Sequence, residues 1–282
     1  MKYLLKNFII LIIFSILFTG CTLSENTLSV LSKDNNKIVY GTKGEAEIAV
    51  VFIHCWTCNY KYWKPQIKYF SDKYKVVWLD LAGHGLSDSK RDNYTISAFA
   101  QDVAVVINKL KLEKVVLVGH SMGGPVAIEA AKILDKKVIG IVGVDTFYTP
   151  FSYPVSKEDI KKFIKPFEDD FNSASKNMVS SMFTKHADKK KISYILEQFA
   201  LANQKVGISA MYDFFKWHSK NIPSSLIQFE DRLKNINGTP MGNEKKLHES
   251  VHLIPKVGHF VAQMKPDEFN DVLNSMIIEF KK

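Results

Sequence analysis

The stretch GHSMGG, residues 119–124, places a serine between glycines directly after an apolar run. A serine hydroxyl is a weak nucleophile that needs an activating base. On a sharp turn from a buried strand into a helix, Ser121 would project its hydroxyl from the end of a sheet. Gly119 and Gly123 leave room for that turn because they carry no side chains. The backbone N–H of Met122, at the start of the helix, would then point to where negative charge develops.

The stretch GHF, residues 258–260, offers a base near the end of the chain. Imidazole changes its protonation near neutral pH, as a general base must. A histidine on a loop after a late strand can return to the carboxyl edge of a sheet, so we expect His259 to be the base. His84 and His120 are expected to bond to the scaffold instead. The remaining histidines are expected at the surface, and they are His186, His218, His248 and His252.

Cys55 and Cys58 form a C-x-x-C pattern, which occurs in redox dithiols and as half of a zinc site. Zinc would need a second pair of ligands, and the sequence offers none in a suitable pattern. A disulfide across this short loop and two free thiols are both compatible with the spacing. The same stretch also has the appearance of a strand that ends in a polar loop.

Strand and helix signals alternate along most of the chain, which predicts βαβ units and a mostly parallel sheet. Apolar runs typical of buried strands occupy residues 37–40, 48–53, 75–79, 114–118, 138–144, 225–229 and 251–254. Helical periodicity covers residues 62–73, 95–110, 122–134 and 266–280, and Thr95 is a candidate N-cap. Residues 146–221 break the alternation and predict a helical insertion.

The N-terminus has the pattern of a secretory signal. Lysines precede an apolar segment, and small residues lead into Cys21, as in a bacterial lipobox. We expect a lipoprotein signal peptide over residues 1–20, lipidation of Cys21, and a polar tether over residues 21–36. An ordinary signal peptide or a single transmembrane anchor is the alternative. The predicted location is the bacterial cell envelope, with a lipid anchor at the periplasmic or extracellular face.

The formal net charge is +9, but the basic residues are spread along the chain. Nucleic-acid-binding proteins instead concentrate lysine and arginine in a stripe or patch. Nucleic acid is therefore not expected as a partner. The roughly 245 residues after the tether are enough for one large domain.

The chain resembles the α/β-hydrolases that use a serine nucleophile, over about residues 37–282. The matching motifs, in the order of that family, are His54-Cys-Trp56, Asp80-Leu-Ala-Gly-His-Gly-Leu-Ser87, the GHSMGG stretch and the GHF stretch. The resemblance implies an eight-stranded, mostly parallel sheet formed by residues 37–145 and 222–282. It also implies a helical cap over residues 146–221, inserted after the sixth strand, and a serine–histidine–acid triad without metal or cofactor.

The family has a His-Gly-x stretch after its third strand, and the N–H of the x residue is an oxyanion donor. That residue is Trp56 here, and Cys55 stands where the family usually has glycine. The resemblance also implies that His54 is a scaffold residue. The triad acid follows either the sixth or the seventh strand. The two arrangements point to Asp145 and to Asp231 respectively, and Asp145 is the favoured candidate.

The resemblance implies hydrolysis of a small-molecule acyl substrate such as a carboxylic ester, lactone or thioester. The same triad also supports perhydrolysis and carbon–carbon bond hydrolysis. One alternative is a non-catalytic binding protein built on the hydrolase fold. The other is a thiol oxidoreductase that uses Cys55 and Cys58.

Overall fold

A central sheet of eight strands lies between two layers of helices in this computed structural model. The structure describes residues 27–200, 202–239 and 248–281. The predicted signal peptide and Cys21 lie outside the described residues. The strands are β1 (Leu28–Leu31), β2 (Lys37–Lys43), β3 (Ile48–Ile53), β4 (Lys75–Leu79), β5 (Lys114–His120), β6 (Val138–Val144), β7 (Leu233–Thr239) and β8 (Val251–Pro255).

The strands are ordered β1-β2-β4-β3-β5-β6-β7-β8 across the sheet. Pairing is antiparallel from β1 to β2 and from β2 to β4, and parallel everywhere else. The eight-stranded, mostly parallel sheet expected from the sequence is therefore confirmed. Central strands such as β3 and β5 are buried on both faces because helices cover the sheet on both sides, and this explains their continuous apolar sequences.

Nine α-helices complete the described part of the chain. They are α1 (Lys64–Phe70), α2 (Ile96–Lys109), α3 (Gly123–Leu134), α4 (Lys157–Asp169), α5 (Phe171–Ser181), α6 (Lys189–Ala200), α7 (Gln204–Gln228), α8 (Val261–Met264) and α9 (Pro266–Glu279). Thr95 caps α2 as predicted, since its hydroxyl accepts a hydrogen bond from the N–H of Ala98. Within the described ranges, none of these helices has the length and apolar character needed to cross a membrane.

Helices α4 to α7 form the insertion between β6 and β7, and we call this segment the cap. The predicted strand at residues 225–229 is wrong, because these residues belong to the end of α7 and the turn after it. Ile222, Ser225, Leu226 and Phe229 are shielded at helical spacing, whereas Ile227 is 73% exposed. A short apolar run does not by itself distinguish a strand from a helix. The helical segment therefore extends past the predicted boundary at residue 221.

Strands β7 and β1 were not predicted from the sequence, for different reasons. Strand β7 carries the buried polar residues Asn235 and Asn237, so it lacks the apolar run of its neighbours. Strand β1 is largely exposed at the sheet edge and lies inside the segment predicted as a tether. The prediction of a tether is therefore corrected for residues 28–31. Edge strands bury little, and Leu28 and Leu31 of this four-residue strand are exposed, so its short apolar sequence is a weak strand signal.

A buried ion pair secures the loop that follows β4. Arg91 Nη1 donates a hydrogen bond of 2.8 Å to Asp102 Oδ2, and Arg91 also pairs with the half-exposed carboxylate of Asp34. Asp102 in turn accepts a hydrogen bond from the N–H of Ala82. The next residue towards the N-terminus, Leu81, contacts the His54 side chain through its own N–H. The ion pair therefore supports the scaffold beneath the loop after β3.

We expect Asp102→Ala to lower the free energy of unfolding by about 3 kcal/mol, since Arg91 would lose its fully buried partner. Asp34→Ala is the matched control, and its half-exposed pair predicts a loss of about 1 kcal/mol or less. Urea unfolding of both variants measures the difference. Equal losses would contradict this account of the ion pair.

Candidate active site

Ser121 lies at the turn between β5 and α3, in a left-handed backbone conformation with φ of +52°. Its N–H donates a hydrogen bond of 2.9 Å to the carbonyl of Val144, which ties the turn to the end of β6. A methyl group at Gly119 would overlap the carbonyl of Gly123, and one at Gly123 would lie 2.6 Å from the carbonyl oxygen of Ile53. The tight packing explains both glycines and holds a strained residue at the carboxyl edge of the sheet.

His259 lies on the loop after β8, and its Nδ1 is 2.6 Å from Asp145 Oδ2. The other carboxylate oxygen of Asp145 accepts a hydrogen bond of 2.9 Å from the N–H of Gly238. The backbone N–H of His259 donates to the carbonyl of Met182 in the cap. Both members of the pair are thus held by backbone groups as well as by each other. Met182 and Gly238 could not be identified from sequence, because only their backbone takes part.

The structure brings Asp145 to His259 and leaves Asp231 elsewhere. Asp145 directly follows β6, so it lies at the carboxyl edge of the sheet. Asp231 precedes β7 in a short 3-10 turn, at the opposite edge. The length of β7 separates the two positions by roughly 15 Å. The prediction placed Asp231 after a strand at residues 225–229, and it fails because that strand is helix.

Trp56 and Met122 line the same cavity as Ser121, and each carries a backbone N–H group. No described residue accepts a hydrogen bond from either group. Buried backbone N–H groups are almost always paired, so two free ones beside a serine are unusual. They are available to an oxygen atom of a ligand in this cavity.

The loop after β3 is held by His54. His54 Nε2 accepts a hydrogen bond from the N–H of Leu81, so its Nδ1 carries the proton that is donated to the carbonyl of Cys55 at 2.8 Å. Burial and the nearby His84 lower the pKa of His54 to about 3, which keeps the ring neutral at physiological pH. His54 is therefore a scaffold residue, as expected.

Cys55 and Cys58 are joined by a disulfide, with 5.2 Å between their Cα atoms. Of the two states left open by the sequence, the structure has the oxidised one. Cys55 is not among the residues with positive φ, so its Cβ is tolerated where the resemblance leads one to expect glycine.

His120 and His84 also bond to the scaffold. His120 Nε2 lies 3.0 Å from the carbonyl oxygen of His259, and His84 Nδ1 lies 3.1 Å from that of Ala82. Burial holds the pKa of His120 well below its usual value, and burial lowers that of His84 to about 4. His218 was expected at the surface, but it is half-buried against Tyr153.

The cavity around Ser121 has a volume of about 480 Å³ and extends between the sheet edge and the cap. Its described lining includes Asp145 and His259 but no lysine, arginine or glutamate. Aromatic residues at the start and near the end of the insertion between β6 and β7 line it, among them Phe151, Tyr153, Phe214 and Phe215. Others pack elsewhere: Trp217 donates to Glu129, and Tyr148 stacks on His248. The cavity is thus lined mainly by apolar side chains, and Ser121, Asp145 and His259 are among its polar residues.

The side chains that commonly bind metal ions are not clustered in the described part of the chain. Within residues 27–200, 202–239 and 248–281 there is no cluster of three or more histidine, cysteine or acidic side chains able to hold an ion. The polar groups around Ser121 are suited to acyl chemistry: a hydroxyl, a histidine paired to a carboxylate, and two free N–H groups.

Comparison with known proteins agrees with this architecture. The model of the alpha/beta hydrolase fold family matches residues 48–177, which include Ser121 and Asp145 but end before His259. The AB hydrolase superfamily protein YisY of Bacillus subtilis is 30% identical over 161 residues, or 54% of this chain and 58% of that protein. The first three curated matches are covered over only 58, 42 and 36% of their own length.

Two solved structures share the fold over most of the chain. A thermophilic esterase from Thermogutta terrifontis has a TM-score of 0.75 at 19% identity, covering 91% of this chain and 99% of that one. The enol-lactonase from Burkholderia xenovorans has a TM-score of 0.75 at 16% identity, covering 89% and 100%. The chain therefore has the α/β-hydrolase fold.

The lowered pKa values of the buried histidines imply that the stability of the protein depends on pH. The pKa values of His54 and His84 are lowered in the folded state, so below pH 6.5 the unfolded chain binds protons that the folded chain does not. Their contribution is complete above pH 6.5 and is lost as the pH falls, by about 1.4 kcal/mol per pH unit for each ring.

Between about pH 6.5 and about pH 5.5 the free energy of unfolding should fall in both the wild type and His84→Gln. We expect the fall to be about 1 kcal/mol smaller in His84→Gln, because this variant lacks one buried neutral ring. Urea unfolding at both pH values measures this difference. His186→Gln is the control, because the His186 side chain is exposed. If the slope of His84→Gln matches that of the wild type, His84 is not held neutral by the fold.

Proposed function

We propose that this α/β-hydrolase-fold protein is a serine hydrolase that cleaves ester-type small molecules through an acyl-enzyme. The observation that carries the proposal is the 2.6 Å contact between His259 Nδ1 and Asp145 Oδ2, beside a cavity that Ser121 also lines. An idle serine would have no need of a histidine oriented by a half-buried carboxylate. The similarity to hydrolases supports the same class of reaction.

In the proposed mechanism, Ser121 Oγ attacks the acyl carbonyl while His259 Nε2 takes the hydroxyl proton. Asp145 keeps the other ring proton on Nδ1 and stabilises the imidazolium that forms. The N–H groups of Trp56 and Met122 bind the developing oxyanion, and each such donor is worth about 10²–10³ in rate. His259 then protonates the leaving group, and an activated water molecule releases the acid and restores the serine.

The type of nucleophile argues against two reactions of the family, epoxide opening and dehalogenation. Family members that open epoxides or remove halides use a carboxylate at this position, whereas this chain has Ser121. Perhydrolysis and carbon–carbon bond hydrolysis use the same serine triad and would appear as side activities of the same site. An ester, lactone or thioester is the substrate type that requires nothing beyond the groups already present.

The cavity supports a neutral, apolar acyl substrate. Its volume of about 480 Å³ is typical of small-molecule sites. Seven phenylalanine side chains around it belong to the insertion between β6 and β7 or to the loop beside His259: Phe151, Phe163, Phe183, Phe199, Phe214, Phe215 and Phe260. A substrate carboxylate buried here would find no cation among the described lining residues, and burying an unpaired charge is costly.

The location of this hydrolase is part of the proposal. The lipobox-like sequence at Cys21 supports a lipoprotein anchored at the cell envelope, with the catalytic domain outside the cytoplasm. The disulfide between Cys55 and Cys58 is compatible with that compartment, because disulfides persist in oxidising surroundings.

The reaction with a fluorophosphonate probe tests the mechanism in membranes that contain the full chain. We expect Ser121→Ala and His259→Ala to abolish labelling. Asp145→Asn should slow labelling by about 10²–10⁴, since the amide favours the wrong histidine tautomer. Asp231→Asn is the matched control and should label as the wild type does.

The outcome also separates the competing functions. A folded wild-type protein that does not label would refute the serine hydrolase and leave a binding protein on the same fold. Insulin reduction by that unlabelled protein would instead identify a thiol oxidoreductase. Normal labelling of Asp145→Asn together with slow labelling of Asp231→Asn would reassign the acid.

Chain length and charge of the substrate test the proposed specificity. From acetyl to hexanoyl p-nitrophenyl esters, we expect kcat/KM to rise about threefold to fourfold per methylene, because each buried CH₂ contributes about 0.8 kcal/mol. A succinyl half-ester should react at least about a hundredfold more slowly than the butyryl ester, because its carboxylate would be buried unpaired.

A cavity variant provides the control for that series. Met178 is half-buried and lines the cavity, so Met178→Phe should shift the optimum to shorter chains. Met264 is half-buried outside the cavity, and Met264→Phe should leave the optimum in place. An optimum that shifts in neither variant, or a succinyl ester that reacts as fast as the butyryl ester, would contradict the apolar acyl site.

A further inference from the structure

The disulfide between Cys55 and Cys58 closes the turn that carries the backbone N–H of Trp56. The N–H of Cys58 donates a hydrogen bond of 3.1 Å to the carbonyl of Cys55, as in a four-residue β-turn. Trp56 and Thr57 are the two central residues of this turn. The crosslink and the turn hydrogen bond therefore join the same pair of residues.

We propose that this disulfide is a positioning device for the Trp56 oxyanion donor, and that its reduction to two thiols lowers the rate of acyl transfer. The inference rests on the proposed function, because it concerns a donor of that same site. It assigns Cys55 and Cys58 a role in the orientation of another group and no contact with the reacting atoms.

The geometry of one peptide unit connects the disulfide to the donor. The carbonyl of Cys55 and the N–H of Trp56 belong to the same planar trans peptide and point in opposite directions. The Cys55 carbonyl is held by His54 Nδ1 at 2.8 Å and by the N–H of Cys58 at 3.1 Å. Whatever fixes this carbonyl also fixes the direction of the Trp56 N–H. Keeping Cys58 in place is therefore part of keeping the donor aimed.

Thr57 shows why the turn benefits from a covalent link. Its φ is +54°, a region that glycine and asparagine enter readily and that β-branched residues avoid. Such a conformation costs on the order of 1–3 kcal/mol and persists only where the surroundings enforce it. The only local side-chain hydrogen bond of Thr57 among the described residues goes to the carbonyl of Trp56, inside the same turn. The disulfide spans Thr57 and opposes its relaxation to negative φ.

A second anchor limits the size of the effect. The indole Nε1 of Trp56 donates a hydrogen bond of 2.8 Å to the carbonyl of Gly207 in α7. The ring also packs against Phe167, Phe171 and Phe199 of the cap. These contacts do not depend on the sulfur atoms, so reduction should loosen the peptide without releasing the loop.

The two sulfur-bearing residues face different cavities. Cys55 lines the cavity that contains Ser121, and Cys58 lines a separate cleft of about 270 Å³. A small reductant can approach from that cleft without occupying the acyl site. Both cysteines are nevertheless buried, so we expect reduction to be slow.

The redox step is a thiol–disulfide exchange with an external dithiol such as dithiothreitol. The dithiol supplies two electrons and two protons, the bond between the Cys55 and Cys58 sulfurs breaks, and the dithiol becomes a cyclic disulfide. The products are two protein thiols. Oxidation by an external disulfide reverses the exchange and should restore activity.

The test uses the full chain with Cys21→Ser, which leaves Cys55 and Cys58 as its only cysteines. After complete reduction we expect kcat for the butyryl ester to fall about 5-fold to 100-fold, less than the about 10²–10³ lost with a whole donor. KM should change by no more than about twofold, because the interaction is made mainly in the transition state. Reoxidation should restore kcat, and Cys55→Ser with Cys58→Ser should have the low value with or without dithiol.

Hydrogen exchange gives a readout that does not require activity. Reduction should speed exchange over residues 54–59, including the N–H of Cys58, while the peptides of β5 and α3 stay unchanged. Thermal unfolding of the reduced protein checks that the fold persists.

Several results would overturn the inference. One is the detection of two free thiols when the unreduced protein is unfolded. Another is an unchanged kcat in protein whose complete reduction has been confirmed by thiol titration. A third is a loss of kcat/KM that comes entirely from a higher KM. Fluorophosphonate labelling of the oxidised protein distinguishes these results from failure of the hydrolase itself. If that labelling also fails, unchanged exchange over residues 54–59 refutes the positioning role independently.

Discussion

Parallel pairing of β3, β5, β6, β7 and β8 is the constraint on which the site depends. In a parallel sheet every carboxyl end lies at the same edge, so the loops that follow these strands meet there. Trp56 follows β3, Ser121 follows β5, Asp145 follows β6 and His259 follows β8. The strand between the last two, β7, contributes the N–H of Gly238 to the carboxylate of Asp145. Residues at the carboxyl ends of five strands thus meet at one cavity.

Rigid backbone contacts keep these loops in register. The strained residue Ser121 is tied to β6 through Val144, and the loop of His259 is tied to the cap through Met182. The neutral ring of His54 links the loop after β3 to the loop after β4. The loop after β3 is also tied to the cap, through the hydrogen bond from Trp56 Nε1 to the carbonyl of Gly207. The cap therefore forms a wall of the cavity and supports two loops of the site. Burial of the scaffold histidines keeps their hydrogen bonds constant near neutral pH.

The core strands could be predicted because burial on both faces requires continuous apolar sequence. Strands β7 and β1 could not, since Asn235 and Asn237 are buried with polar partners and β1 covers only a sheet edge. The apolar run at residues 225–229 is compatible with either a strand or a helix. In the folded protein it forms the end of α7 and the turn after it, because α7 packs against the rest of the protein. That error also produced Asp231 as an alternative acid, because the position of an acid depends on which strand it follows.

The sequence by itself determined the turn around Ser121, the mostly parallel sheet, the Thr95 cap and the existence of a helical insertion. Each of these depends on residues within a few positions of one another, through local sterics, capping or apolar periodicity. Only the tertiary structure decided that Asp145 meets His259, 114 residues away, and which aromatic side chains line the cavity. It also decided that Cys55 tolerates a side chain in a glycine position and is bonded to Cys58. These outcomes depend on which strand ends and cap helices are neighbours in space, and no local pattern encodes that arrangement.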